Sequence, residues 1–401
     1  MVQRYKSLTV LLFGLLLIKV IVLVGDNWTA RAAEPETVEV VGALGVIENP
    51  SEITFAPVNV PTTAGGKAAI RSTTVVTINQ QVFPINYHTL IQTGDEFASG
   101  TFGLVLDKEG NPILDEDGEP SISSSVDYTS FLPRGDKIYL VSHIETTPSV
   151  VYMTTAVQDP ETGHLTALDT APVDFSAVNG VLEACAGVTT AWSTHLGSEE
   201  WDPDAKPRDP QTGSIDDEDY DVELLKYFGP EAKLTDVTPY DYGWILEISV
   251  DDNGQAKGVK HYAMGRFTHE LAYVMPDNRT AYMTDDETNG GIFMFVADKS
   301  EDMSAGTLYA AKWLQTSAEG AGSGNLVWIK LGQATDAEIK ALIDGGTQFF
   351  DMFEEAEPAD DGSCAAGYAS INTTTGHECL KVKPGMEKPP LFWKPGVTPL
   401  C

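Results

Sequence analysis

Positive charge is what this chain has least of. Its 25 Lys and Arg stand against 59 Asp and Glu, a formal net charge of −34 at pH 7. That imbalance excludes nucleic acid and anionic lipid as main partners, because such a surface repels both. A small anion meets the same barrier unless bound cations reverse the local field. The acidic residues that raise the barrier are also the groups that hold such cations. Part of the charge serves solubility in salt.

Cysteine is scarce as well. The four, Cys185, Cys364, Cys379 and Cys401, obey no zinc-finger spacing. The segment between Cys364 and Cys379 is rich in Gly, Ser, Thr and Asn, the makeup of a disulfide loop in an oxidising compartment. Cys185 has no neighbour in sequence and is either a buried small apolar residue or a metal thiolate. No serine sits in the setting of an activated nucleophile, so covalent catalysis through a hydroxyl has no candidate.

Long apolar runs are confined to the N-terminus. Arg4 and Lys6 precede the run Leu8 to Ile18, a second patch covers Val20 to Val24, and Ala30-Arg31-Ala32 supplies a small-x-small cleavage pattern. Residues 1–32 therefore read as a signal peptide cut after Ala32. Lys19 interrupts the run and argues against a retained membrane span. No twin arginine is present, so export of an unfolded chain that acquires metals outside is expected. The expected compartment is periplasmic or secreted.

What remains is rich in short β-forming runs. Residues 33–71 look extended and poorly periodic, a lead-in. From residue 72 to about 357 strands are predicted around Thr74 to Ile78, Lys137 to Val141, Val150 to Met153, Trp244 to Ile248 and Ala272 to Met275. Further ones fall at Thr280 to Thr284, Gly291 to Val296 and Thr307 to Ala311. Three turn segments, starting at Asp107, Asp251 and Pro276, share a design that links antiparallel strands. Only Ala334 to Ile343 reads as a helix, with Asp336 as its cap, and the acidic stretch Trp201 to Asp221 reads as a surface loop. The fold class is all-β, and many short strands favour a propeller over a sandwich, although no strict repeat period is present. Residues 358–401 read as an irregular tail.

Three constellations could carry chemistry. The first runs from Cys185 to Glu200 and holds a thiol, the imidazole of His195 and the carboxylates Glu199 and Glu200. Mixed soft and hard donors suit iron or zinc, with the glutamates open to calcium. Against this, Trp192 could be core and the glutamates solvated. The second is Arg266-Phe267-Thr268-His269-Glu270 followed by Asp285-Asp286-Glu287, which puts oxygen ligands at one edge of a β-array. A solvated turn would also explain the acidic triplet. The third places His143 and Glu145 two residues apart on one strand face, a pattern an ordinary alternating strand explains better.

Taken together the segments resemble the PhoX-type alkaline phosphatases. The matching motifs are Cys-Ala-Gly at Cys185, Thr-His-Leu-Gly-Ser-Glu-Glu from Thr194 to Glu200, and Gly-Arg-Phe-x-His-Glu from Gly265 to Glu270. Tyr-x-Thr-Asp-Asp from Tyr282 to Asp286 and His-x-Glu at His143 add to them, and the likeness runs from about Phe83 through Glu387. The resemblance implies a β-propeller and calcium- and iron-dependent hydrolysis of phosphomonoester small molecules. It implies that Cys185 and Glu270 ligate iron. Glu199, Glu200, Asp285 and Asp286 become candidates for calcium or for supporting roles, while His195, His269 and Arg266 are candidates to orient ligands or meet phosphate oxygens.

The same resemblance implies further strands and ligands beyond this C-terminus, and so a truncated chain. Residues 389–401 change character abruptly. Back-translated with suitable codons and read from the third base, Trp393 to Pro399 gives Glu-Thr-Arg-Arg-Tyr-Ala, a segment related sequences carry here. An out-of-frame tail is the expectation. A calcium-dependent propeller lactonase or esterase, which would not require Cys185, and a non-catalytic calcium-binding envelope protein are the competing readings.

Overall fold

Runs of β-branched and aromatic residues form antiparallel strands spread from Ile53 to Val382 among the described residues. The structure, a computed structural model, describes residues 52–67, 71–85, 87–206, 218–286, 290–373 and 376–386. The expected signal peptide, Glu287 and the 389–401 tail with Cys401 lie outside the described residues.

Two units are distinct. The first comprises Met1–Leu90 and Asp159–His164. Its described part is a sheet of β1 (Ile53–Phe55), β2 (Val75–Ile78) and β3 (Gln81–Pro84) in that order, with a short helix α1 (Ala64–Lys67). Asn79 and Gln80 close the β2–β3 hairpin with φ of 49° and 68°, the two left-handed residues that a tight hairpin turn demands. The expected lead-in thus contains a strand, and the boundary between units falls after Leu90 rather than at 71.

The second unit comprises Ile91–Gln158 and Leu165–Cys401. One sheet takes β4 (Val126–Arg134), β5 (Lys137–Ile144), β6 (Val150–Gln158) and β7 (Leu165–Pro172) in sequence order. Another takes β8 (Ala184–Thr189), β9 (His195–Glu199), β10 (Ile245–Val250) and β11 (Ala256–His261), again in order. A third has β12 (His269–Val274), β13 (Thr280–Asp285), β14 (Ile292–Lys299), β15 (Asp302–Ser317) and β16 (Ser323–Thr335). Consecutive antiparallel meanders of this kind are the strand plan of propeller blades. The all-β expectation holds.

Between insertions lie α2 (Glu218–Phe228), α3 (Asp336–Asp344) and α4 (Phe349–Met352). Helix α2 shortens the expected acidic loop: Leu224 and Tyr227, three residues apart, are buried on one helix face. Helix α3 is capped by Thr335 in a capping box with Glu338, not by Asp336. Asp336 instead accepts hydrogen bonds from the Ala263 amide at 2.7 Å and His261 Nδ1 at 2.9 Å. The expected irregular tail is regular as far as Val382: β17 (Phe353–Ala356), β18 (Ala369–Thr373) and β19 (Gly376–Val382) form a sheet ordered β17-β19-β18. The expected Cys364–Cys379 disulfide is present there.

Large apolar side chains close the second unit. Trp244, Phe267, Phe293 and Phe295 are each fully buried, and burial of one such side chain is worth roughly 1.5–3 kcal/mol. Among the described residues no helix is long and apolar enough to cross a membrane.

Candidate metal centre

Three β-bulges build the site. Ala184 pairs with Glu199 and Gly187 with Gly197, so β8 carries one extra residue in the stretch that holds Cys185. His269 pairs with Asp285 and Leu271 with Thr284, which leaves Glu270 as the extra residue of β12. Val126 pairs with Ile144 and Thr129 with Ser142, a third irregularity that takes in Asp127. A bulge interrupts the strict in-out alternation of a strand and re-aims a side chain. Here it frees a thiol and carboxylates from their sheets.

The re-aimed groups converge. Cys185 Sγ lies 3.7 Å from Glu270 Oε2. Donor atoms of Glu145, Cys185 and Glu200 lie within 4.8 Å of one another, and so do those of Glu200, Glu270 and Asp286. Glu200 belongs to both groups, so one continuous cluster holds a thiol and four carboxylates. Ser198 ties the two main bulges together. Its buried hydroxyl lies 2.8 Å from both the Ala186 and the Glu270 carbonyl oxygens and shares its one proton between them.

Three groups of the cluster are held toward their neutral forms. Burial pushes Glu200 up to about 8, and the neighbouring Asp286 and Glu270 add to the shift. Burial raises the Cys185 thiol well above its ordinary value, with Glu200, Asp127 and Glu270 contributing. Glu145 is raised by burial, then by Asp127 and Glu183. The charges acting on these groups are all negative. Of the donors only Cys185 is buried, Glu145, Glu200 and Glu270 are half-buried and Asp286 is exposed. Such a set keeps protons unless a bound cation favours the ionised forms. The donor types, one thiol among hard carboxylates, are ones that metal ions take.

Other candidate residues lie elsewhere. Glu199 is fully buried, 2.8 Å from Lys260 Nζ, and accepts the amides of Leu182 and Trp244 at 3.0 Å each. Burial pushes Glu199 up and Lys260 down against their mutual attraction. Strand alternation explains the separation, because Glu199 and Glu200 point opposite ways. Asp285 accepts the Gly291 amide at 3.2 Å. Arg266 is buried and engaged on Asp202 and on the carbonyls of Tyr242, Pro203 and Pro239. His269 packs on Phe267 and bonds the Gly265 carbonyl at 2.9 Å, and burial lowers its pKa to about 3. His195 meets His143 at 2.7 Å and Ser130 Oγ at 2.8 Å. The bonds just named tie these residues to groups outside the cluster. Glu145 was visible in sequence but read as an ordinary strand residue. Its place one residue beyond β5 brings it beside Cys185.

A thiol and several carboxylates gathered on an all-β scaffold define a candidate metal-binding protein. Residues 152–366 match the sequence profile of the family described as alkaline phosphatase PhoX, more than half of the 401 residues. The chain belongs to that family, and it is an alkaline-phosphatase-like hydrolase in that sense. Among solved structures, it is similar to Pseudomonas fluorescens PhoX in complex with vanadate, a transition-state analogue. The two share 16% identity over 73% of this chain and 76% of that one, with a TM-score of 0.39. A provisionally assigned 6-phosphogluconolactonase from Bacteroides uniformis shares 12% identity over 74% of this chain and 84% of its own, with a TM-score of 0.24. A similarly assigned protein from Bacteroides fragilis shares 13% over 71% and 86%, with a TM-score of 0.22. No curated protein sequence gives a significant match. The family assignment rests on the sequence profile.

Proposed function

We propose that the chain is a metal-dependent phosphomonoester hydrolase that acts after export. The observation that carries this reading is the convergence of Cys185, Glu145, Glu200, Glu270 and Asp286 in one cluster. Cys185 and Glu270 would hold iron, while Glu200, Asp286 and Glu145 would hold calcium. Bound there, the cations would supply positive charge beside the phosphoryl oxygens and a nucleophile that needs no protein side chain.

The chain's own part is to place the donors. Bulges aim them, Ser198 locks two bulges at a fixed separation, and the half-buried setting of Glu145, Glu200 and Glu270 strengthens their charge interactions relative to open water. Export is supported by the N-terminal pattern and by the Cys364–Cys379 disulfide, a bond at home in an oxidising compartment. The roles expected for Arg266, His195 and His269 on the phosphate itself find no support in their hydrogen bonds.

The test is turnover of a simple aryl phosphate by the purified chain, with and without calcium and iron. Metal-dependent hydrolysis that is lost in Cys185→Ala supports the reading. Ester or lactone turnover indifferent to Cys185→Ala would replace it with the lactonase alternative. Metal binding without turnover of any ester would favour a non-catalytic calcium-binding protein.

A further inference from the structure

We propose that His143 and His195 form a one-directional hydrogen-bond chain that holds the Cys185 backbone in place, which makes both histidines, and Ser130 behind them, positioning residues of the centre. The inference rests on the metal-binding reading of Cys185. Its geometry stands by itself.

Polarity follows from the partners. His143 Nδ1 meets the Cys185 carbonyl oxygen, which can only accept, so Nδ1 carries the proton. Both rings are fully buried and, among the described residues, their hydrogen-bond partners are a carbonyl, a hydroxyl and each other, a setting that favours neutral imidazoles. A neutral His143 with its proton on Nδ1 has a bare Nε2. That nitrogen lies 2.7 Å from His195 Nε2, which must therefore be the donor. His195 Nδ1 is then bare and accepts from the Ser130 hydroxyl at 2.8 Å. Each proton has one place, and reversing the chain would leave the Cys185 carbonyl without a donor.

The fold reserves room for this pair. Gly187 and Gly197 face each other across β8 and β9. A Cβ on Gly197 would fall on the His143 ring and 2.8 Å from His195 Nε2. One on Gly187 would sit 2.7 Å from Tyr128 Cδ1 and 3.0 Å from His195 Cε1. Neither glycine has the left-handed φ that would otherwise explain it. Their use is the slot. The glycines of Cys-Ala-Gly and His-Leu-Gly, and the histidine of His-x-Glu, thus belong to one device. Anchoring matters because the Cys185 carbonyl lies within the bulge, where it is free of the regular sheet ladder. Groups that orient a ligand from behind typically change metal affinity by ~10–100-fold when removed.

The experiment uses the full chain and cobalt(II) alone as probe, reading the absorption of thiolate-bound cobalt during titration. His143→Leu, which keeps the volume and removes the donor, is expected to weaken cobalt binding ~10–100-fold. His143→Asn, whose amide nitrogen can reach the Nδ1 position, is expected to recover most of that loss. Equal affinity in His143→Leu and the wild type would overturn the proposal, as would equal loss in both variants. Histidine nitrogen NMR shifts of the wild-type chain supply a readout that needs no variant to fold. Protons on Nδ1 of His143 and Nε2 of His195 are expected, and the opposite tautomers would overturn the chain. Correct tautomers with no thiolate band in the wild type would instead sink the metal reading of Cys185, and with it the role of the anchor, while leaving the hydrogen-bond chain intact.

Discussion

Cys185 Sγ and Glu270 Oε2, from strands of two different sheets, lie 3.7 Å apart. Eighty-five positions separate them in sequence, and each sits at a bulge in its own strand. A thiol beside a carboxylate, both partly or largely buried, makes a poor structural contact by itself. It makes a good pair of metal ligands.

Neighbouring glutamates give the sharpest contrast. Glu199→Gln would leave the fully buried Lys260 without its charge partner, at a cost of ~3–5 kcal/mol, with metal content per folded chain unchanged. Glu200 is pushed up to about 8 and so is mostly neutral at pH 7 in the metal-free chain. Glu200→Gln keeps that neutrality, so the metal-free protein should be no less stable while metal binding falls at least tenfold. Urea unfolding of the chelated proteins, with elemental analysis of the loaded ones, checks both. Equivalent behaviour of the two variants would break the assignment.

Ser198→Ala removes the hydroxyl shared by the Ala186 and Glu270 carbonyls. Loss of a buried donor to two acceptors should cost ~1–3 kcal/mol. Because those carbonyls flank the ligand bulges, metal affinity should fall as well, and more than for a serine-to-alanine change elsewhere in the sheets. Thermal unfolding with and without calcium measures the two effects separately.

His261 gives the chain an alkaline limit. Burial would lower its pKa, but Asp336 at 2.9 Å and Glu247 at 2.8 Å outweigh burial and push it up to about 9. The folded chain then keeps a proton that the unfolded chain releases near the ordinary value of 6.5. The stabilisation is complete below pH 6.5 and is lost as pH rises to about 9, by a few kcal/mol. In His261→Gln this slope should disappear from chemical unfolding measured across that range.

Chelation should destabilise the protein. Metal ions that bind the folded cluster and not the dispersed ligands of the unfolded chain would add about 2.7 kcal/mol at 100 times the Kd. The melting temperature should rise with added calcium in the wild type and rise less in Asp286→Asn. No calcium dependence at millimolar concentration would argue against the hard-donor half of the site.

Much of this was legible in the sequence, for physical reasons. Strands such as Lys137–Ile144 and Ile245–Val250 announce themselves by β-branched and aromatic residues between turn formers. Cys185, Glu200, Glu270 and Asp286 stood out as ligand types in motifs. Bulges leave little trace in sequence, so nothing signalled that Glu199 would face a buried lysine while Glu200 faced the cluster. Thr335 and Asp336 are equally good caps by composition, and the sequence does not show that Asp336 is engaged by the Ala263 amide and His261 instead. Helix α2 was hidden by the acidic run that precedes it. The roles of Gly187 and Gly197 needed coordinates, since a glycine that clears a ring looks in sequence like any glycine in a strand.

The most direct test is elemental analysis of the folded, exported chain beside Cys185→Ala and Glu270→Gln. We predict iron and calcium together in the wild type, with iron lost and calcium largely retained in both variants. A wild-type protein that folds and holds no metal, or variants that keep full iron, would contradict the account.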